Sequence, residues 1–162
     1  SVSTSKAMID ALNAVSVDEM HVTECVLLPD DAKNSMSVVS ASDYVITFEE
    51  KCSTEEKSKL LGSVMDFMVQ KEIVILKKTK KSEREENIKP GIMKCELRGD
   101  SMYMLLSTGS EYNLKPELVM QALYSFSGIE HNQFHYHIHR LETYMDSPKG
   151  GIFPIYQAGT SF

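Results

Sequence analysis

Between Tyr44 and Leu76 the apolar residues change period twice, and that switch constrains the fold more than any other feature of the chain. Tyr44-Val45-Ile46-Thr47-Phe48 is aromatic and β-branched, which suits a buried strand. Leu60, Leu61, Val64, Met65, Phe67, Met68 and Val69 then recur at helical spacing. Ser53 or Thr54 can cap that helix, and Glu55 and Glu56 sit where the N-terminal dipole favours negative charge. Ile73-Val74-Ile75-Leu76 is a continuous apolar run too short for a helix, so it reads as a central strand.

The pattern continues downstream. Residues 92–97 and 102–106 read as two strands, with a hairpin turn at Arg98-Gly99-Asp100-Ser101. Pro116 suits the first turn of another helix, Leu118, Val119, Ala122, Leu123 and Phe126 supply its apolar face, and Gly128 stops it. Residues 134–144 read as the last strand. Upstream, residues 6–14 read as a short helix, 18–28 as a strand ending at Pro29-Asp30, and 34–42 as one helical turn. The charged stretch 77–87 lacks periodicity and is expected to be an exposed strand extension and loop. From Tyr44 onward the order is strand, helix, strand, two hairpin strands, helix, strand. That order predicts an α+β fold of the ferredoxin-like (split βαβ) type: a mainly antiparallel sheet, two helices on one face and an N-terminal extension. Residues 1–146 are expected to form a single domain and 147–162, rich in Gly and Pro, an irregular tail.

Composition narrows the function classes. With 162 residues, 42% hydrophobic and 25% charged, the chain can bury a core and is not a disordered segment. No apolar run approaches the roughly 20 residues that cross a bilayer, and the start at Ser1 lacks a signal-peptide pattern. A cytoplasmic protein without membrane partners is expected, and the missing initiator Met suggests a processed or excised piece. Cys25, Cys52 and Cys95 are odd in number, far apart and form no C-x-x-C pair. That argues against a zinc ribbon or an iron–sulfur cluster and fits reduced thiols. At a net charge of −6, the surface as a whole does not attract nucleic acid, so any phosphate contact needs a local basic patch. Ser63 lies mid-helix outside a G-x-S-x-G context, and Cys95 lies in a strand with no activating neighbour in sequence. No catalytic centre and no cofactor are expected.

Three constellations carry candidate chemistry. Gly109 and Ser110, followed by Asn113 and Lys115 before the Pro116 helix, could hold an anion on free N–H groups at the helix start. The plainer alternative is a structural turn capped by Asn113. Lys77, Lys78, Lys80, Lys81 and Arg84 could contact phosphates, or else form a solvated hairpin that protects a sheet edge. His135, His137 and His139 alternate, so a strand would line them on one face at spacings of about 6–7 Å. Two of them with a carboxylate could bind zinc or iron; the alternative is an exposed polar face opposite Tyr136 and Ile138.

Four segments together resemble the C-terminal part of a bacterial radical-SAM-linked family of unknown function. They are Met8-Ile9-Asp10-Ala11-Leu12-Asn13; Ala32-Lys33-Asn34-Ser35-Met36-Ser37-Val38-Val39 running into Ala41-Ser42-Asp43-Tyr44; Lys78-Thr79-Lys80-Lys81 followed by Ile88-Lys89-Pro90-Gly91-Ile92; and Gly109-Ser110 with Asn113-Leu114-Lys115-Pro116-Glu117-Leu118. The Asn-Leu-Lys-Pro-Glu run is the most distinctive, and the similarity extends from about residue 6 to 140. The resemblance implies fusion to, or encoding beside, radical-SAM proteins, often near genes of ribosome or RNA metabolism. It implies no reaction. The family's His- and Pro-containing N-terminal half has no counterpart here, and the three alternating histidines and the tail after Asp146 are particular to this sequence. The resulting expectation is a non-catalytic accessory domain that presents a surface to RNA or to a radical-SAM partner. The alternatives are a metal-binding domain or metal-dependent enzyme using His135, His137 and His139, and a structural half-domain. In the last case the open sheet face would pack on a missing half and favour a homodimer in isolation.

Overall fold

The computed structural model describes residues 3–78, 83–110 and 112–162. Four helices are α1 (Ser5–Asn13), the single turn α2 (Ser35–Val38), α3 (Thr54–Val69) and α4 (Pro116–Phe126). Seven strands are β1 (Val39–Phe48), β2 (Val74–Lys78), β3 (Glu83–Asn87), β4 (Ile92–Arg98), β5 (Ser101–Ser107), β6 (Tyr136–Asp146) and β7 (Ile152–Pro154). Five of them form one sheet in the order β4-β5-β1-β6-β7, with every neighbouring pair antiparallel. Among the described residues no helix is long and apolar enough to cross a membrane.

The sequence signals act where expected at several ends. Ser53 caps α3 by accepting the Glu56 N–H at 3.1 Å. Gly99 takes a φ of +62° in the β4–β5 turn, and Gly128, just past α4, a φ of +64°. Pro116 opens α4, where its missing N–H costs nothing.

Strand alternation then builds the core. Tyr44 lies opposite Met104, Ile46 opposite both Met102 and Ile138, and Phe48 opposite Tyr136. Paired residues share a face. This face packs with Leu60, Val64 and Phe67 of α3 and Val119, Met120 and Leu123 of α4 in one apolar cluster. Gly91 is held against Leu114 and Tyr112, and a side chain there would collide with the Tyr112 ring.

Four expectations are corrected. Ile73-Val74-Ile75-Leu76 does enter a strand, but among the described residues β2 pairs only with β3, in a separate two-stranded ribbon. Ile73 and Ile75 turn to the core while Val74 and Leu76 are exposed, so an apolar run that suited a central strand serves a half-exposed one. Asn87 fixes the ribbon base: its Oδ1 accepts the N–H groups of Ile73 and Lys89. The charged stretch 77–87, expected as an exposed strand extension and loop, does extend β2 through Lys78, but it also supplies β3, because cross-strand pairing with β2 satisfies its backbone. Residues 18–28 form no strand; Leu27 makes an isolated bridge to Thr160, and among the described residues no strand pairs with the rest. The tail expected to be irregular adds β7 to the sheet edge and a 3-10 turn at Ile155–Ala158.

Met65 and Val69, counted in the α3 stripe by spacing, face outward at 68% and 76% exposure, whereas Leu60 is fully buried. Leu60→Ala should therefore lower unfolding free energy by about 2–5 kcal/mol. Met65→Ala should change it by no more than about 0.5 kcal/mol. Urea unfolding followed by far-UV circular dichroism separates the two.

Candidate functional site

The structure disperses the candidate residues over three places. The first is the ribbon. Glu86 accepts an ion pair from Lys77 at 3.0 Å and from Arg84 at 3.4 Å, and Lys77 leads in holding the Glu86 carboxyl below its usual range. Two of the five cations are thus already paired with a carboxylate. Lys80, Lys81 and the Lys78 side chain lie outside the described residues.

The second is the turn before α4. Gly109 donates its N–H to the Tyr112 carbonyl at 2.8 Å, and Leu114 donates to Ser107 at 2.9 Å. A Cβ on Gly109 would sit 3.2 Å from the Val39 carbonyl, so the glycine permits β1 and the turn to meet. The Gly109 amide is used inside the turn. Asn113 bridges to Thr108 instead of capping the helix; Lys115 holds the N-cap position without a side-chain bond. Gly109 and Ser110 nevertheless line a crevice of about 910 Å³, walled by residues 28–40, the turn and the tail. Lys33 and the buried Ser40 hydroxyl, which has no hydrogen-bond partner among the described residues, belong to it as well. Lys33 and Ser40 were not legible as site residues, because only the fold brings the N-terminal segment to this turn.

The third is the histidine segment. His137 and His139 are exposed on β6 opposite Thr47 and Val45. His135 lies one step earlier, in a 3-10 turn at Gln133–His135, and reaches across to α3. Its Nδ1 is 2.8 Å from the Glu56 carboxylate, and its Nε2 is 2.9 Å from the Asn132 amide nitrogen. Cys52 joins them: among the described residues, Cys52, Glu56 and His135 are the group whose donor atoms converge, all within 4.8 Å. Burial, followed by the Glu56 carboxylate, pushes the Cys52 thiol up. His135 Nε2 faces Asn132, so this geometry does not make His135 a base for the Cys52 thiol.

The sheet face opposite the helices is polar, organised around a buried carboxylate that spacing did not reveal. Asp43, 5% exposed, accepts the Tyr103 hydroxyl at 3.1 Å and the Tyr144 hydroxyl at 3.0 Å on one oxygen. A bulge in β6 between the partners of Asp43 and Tyr44 leaves Leu141 unpaired, and this puts Glu142 and Tyr144 on the Asp43 side. The Arg98 guanidinium stacks 3.6 Å from the Tyr103 ring centre and also pairs with Glu96 at 3.1 Å.

Asp43→Ala would strand two tyrosine hydroxyls and should cost about 1–3 kcal/mol, read by urea unfolding. Alkaline pH probes the same network. Burial and the Asp43 carboxylate push the Tyr144 phenol up to about 12, against about 10 in an unfolded chain. The neutral phenol is the favoured form in the fold. Its contribution is therefore complete below the unfolded value and is lost as pH rises towards about 12. Tyrosinate absorbance of Tyr144 should appear together with loss of structure, and at lower pH in Asp43→Ala.

No curated protein and no solved structure matches the chain. Residues 2–116 match the family model of uncharacterised proteins conserved in bacteria, DUF2344, a span that takes in the N-terminal arm (the residues before β1), β1 to β5 and the turn before α4. The chain belongs to that family.

Proposed function

We propose that this chain is a non-catalytic accessory domain of a radical-SAM-linked system, and that it docks on a radical-SAM protein through its N-terminal arm. The observation that carries this reading is the arm's surface. Val15 is 82% exposed and Met20 66%, and Val17 and Leu27 are exposed beside them in sequence. Isolated exposed apolar residues are ordinary, but several within one short segment suit a partner that covers them. Family membership over residues 2–116 is in keeping with the bacterial character of the resemblance; the radical-SAM link rests on the resemblance alone. The free thiols of Cys25, Cys52 and Cys95 are in keeping with a cytoplasmic setting. The strand order β4-β5-β1-β6 supports a ferredoxin-like assignment, with the β2–β3 ribbon inserted after α3 and β7 added at the edge. The polar network of Asp43, Tyr103, Tyr144 and Arg98 weighs against the version in which the open sheet face packs on a missing half.

The direct test mixes this chain with radical-SAM proteins of the same genome and separates them by size exclusion with light scattering. A defined complex is expected, weakened at least about tenfold by Val15→Asp with Met20→Asp, since a buried apolar anchor exchanged for a charge leaves that charge desolvated. Absence of a complex, or a complex indifferent to both substitutions, contradicts the proposal.

A second reading, RNA contact, is favoured by the ribbon, which carries Lys77 and Arg84 on strands outside the main sheet. Titration with ribosomal RNA fragments at low salt should then show binding that weakens as salt rises and is lost in Lys80→Glu with Lys81→Glu. Binding that ignores both changes removes RNA from consideration.

A further inference from the structure

We propose that Cys52, Glu56 and His135 form a site for a tetrahedral divalent metal of the zinc class, distinct from the alternating histidines of β6 and independent of the docking surface. The donor atoms come from the loop before α3, the first turn of α3 and the turn before β6, and all lie within 4.8 Å of one another. Zinc holds sulfur at about 2.3 Å and nitrogen or oxygen at about 2.0–2.2 Å. Three donors on one ion are then roughly 3–4 Å apart, so small side-chain rotations suffice to bring these atoms onto a shared metal. A thiolate, an imidazole and a carboxylate favour a zinc-like ion over magnesium or calcium. The two anionic ligands balance the dication, and a thiolate beside the N-terminus of α3 is favoured by the helix dipole.

Two further features point to the same place. Glu56 stands three residues after the Ser53 cap, the spacing of a capping box. Its carboxylate is directed instead to His135, 79 residues away in sequence. Tyr124 is fully buried, and its hydroxyl has no hydrogen-bond partner among the described residues. Its ring lies 6.0 Å from that of Tyr136, the residue after His135. A water at the fourth position would complete a tetrahedral shell.

The metal-free arrangement also says what must change on binding. Asn132 Oδ1 accepts the Phe134 N–H at 3.0 Å, which leaves its Nδ2 facing His135 Nε2. Nε2 is then the acceptor, and the ring proton sits on Nδ1, shared with Glu56. Metal on Nδ1 moves that proton to Nε2, and the Cys52 thiol gives its proton to solvent. Nε2–H then needs an acceptor, which Asn132 offers only after its amide turns. Asn132→Asp would supply one at once, a carboxylate–histidine–metal relay.

The experiment titrates cobalt(II), then zinc, into the full chain carrying no histidine tag. A thiolate-to-cobalt charge-transfer band saturating at one ion per chain is expected, displaced by zinc, with a higher Tm in zinc. Cys52→Ser should abolish the band. Glu56→Gln and His135→Gln should weaken binding by about tenfold or more, and Asn132→Asp should tighten it by about tenfold. His137→Gln with His139→Gln should leave it unchanged. Zinc-edge X-ray absorption of the unsubstituted chain decides the matter without any variant: one sulfur at about 2.3 Å is expected. A zinc shell without sulfur, a wild-type chain with no charge-transfer band, a band that survives Cys52→Ser, or one lost with His137 and His139 overturns the proposal.

Discussion

β1 is hydrogen-bonded on both sides, to β5 and to β6, and buries residues on both of its faces. This double constraint organises the rest of the molecule. Ser42, Tyr44 and Ile46 alternate towards the side that packs with α3 and α4, while Ala41 and Asp43 alternate towards the other. The first side is satisfied by apolar contact. On the second, a buried carboxylate is held by two tyrosine hydroxyls from the two neighbouring strands, β5 and β6. Register is thereby fixed twice, because a one-residue slip of either neighbour would turn the core residues outward and separate Asp43 from its donors.

Around this centre the molecule divides into parts with different freedom. The ribbon is tied at its base by Asn87, by the Ile88 N–H donated to Ile73, and by Lys89, which donates to the Met68 carbonyl at the end of α3. Among the described residues it pairs with no strand of the main sheet. The N-terminal arm is tied to the C-terminal tail by paired bonds at Ser5 with Phe162 and at Leu27 with Thr160, and within itself by Asn13, which binds both backbone groups of Val22. A well-fixed body with a sparsely packed apolar arm is the arrangement on which the docking proposal rests. The Cys52, Glu56 and His135 group belongs to the body, since it joins the start of α3 to the start of β6.

Local signals were legible in the sequence and long-range company was not. Ser53, Gly99, Pro116 and Gly128 marked element ends, because caps and turns are decided by a few neighbouring residues. Ile73 to Leu76 was legible as a strand, but its partner was not: an apolar run does not say which strand will lie beside it. Met65 and Val69 had the spacing of the α3 stripe, yet the sheet and α4 cover a narrower arc of that helix. The strand alternation that grouped His135 with His137 and His139 fails at the 3-10 turn, which carries His135 to Glu56. Glu56 had a sufficient local role near a helix start, and Cys52 a sufficient one as a reduced thiol, so nothing in sequence joined them. The Asp43 network unites residues 60 and 101 positions apart and depends on a bulge at Leu141 that no local signal announced.

The division into a fixed centre and a thinly attached arm can be measured by amide hydrogen exchange of the isolated chain at single-residue resolution. The account predicts that amides of Ser42 to Ile46 exchange slowest, at the rate of global unfolding, and that amides from Val15 to Leu27 exchange many orders of magnitude faster, apart from Val15, Ser16, Met20, Val22 and Leu27, whose amides are bonded. An arm protected as strongly as β1 in the chain alone would contradict it.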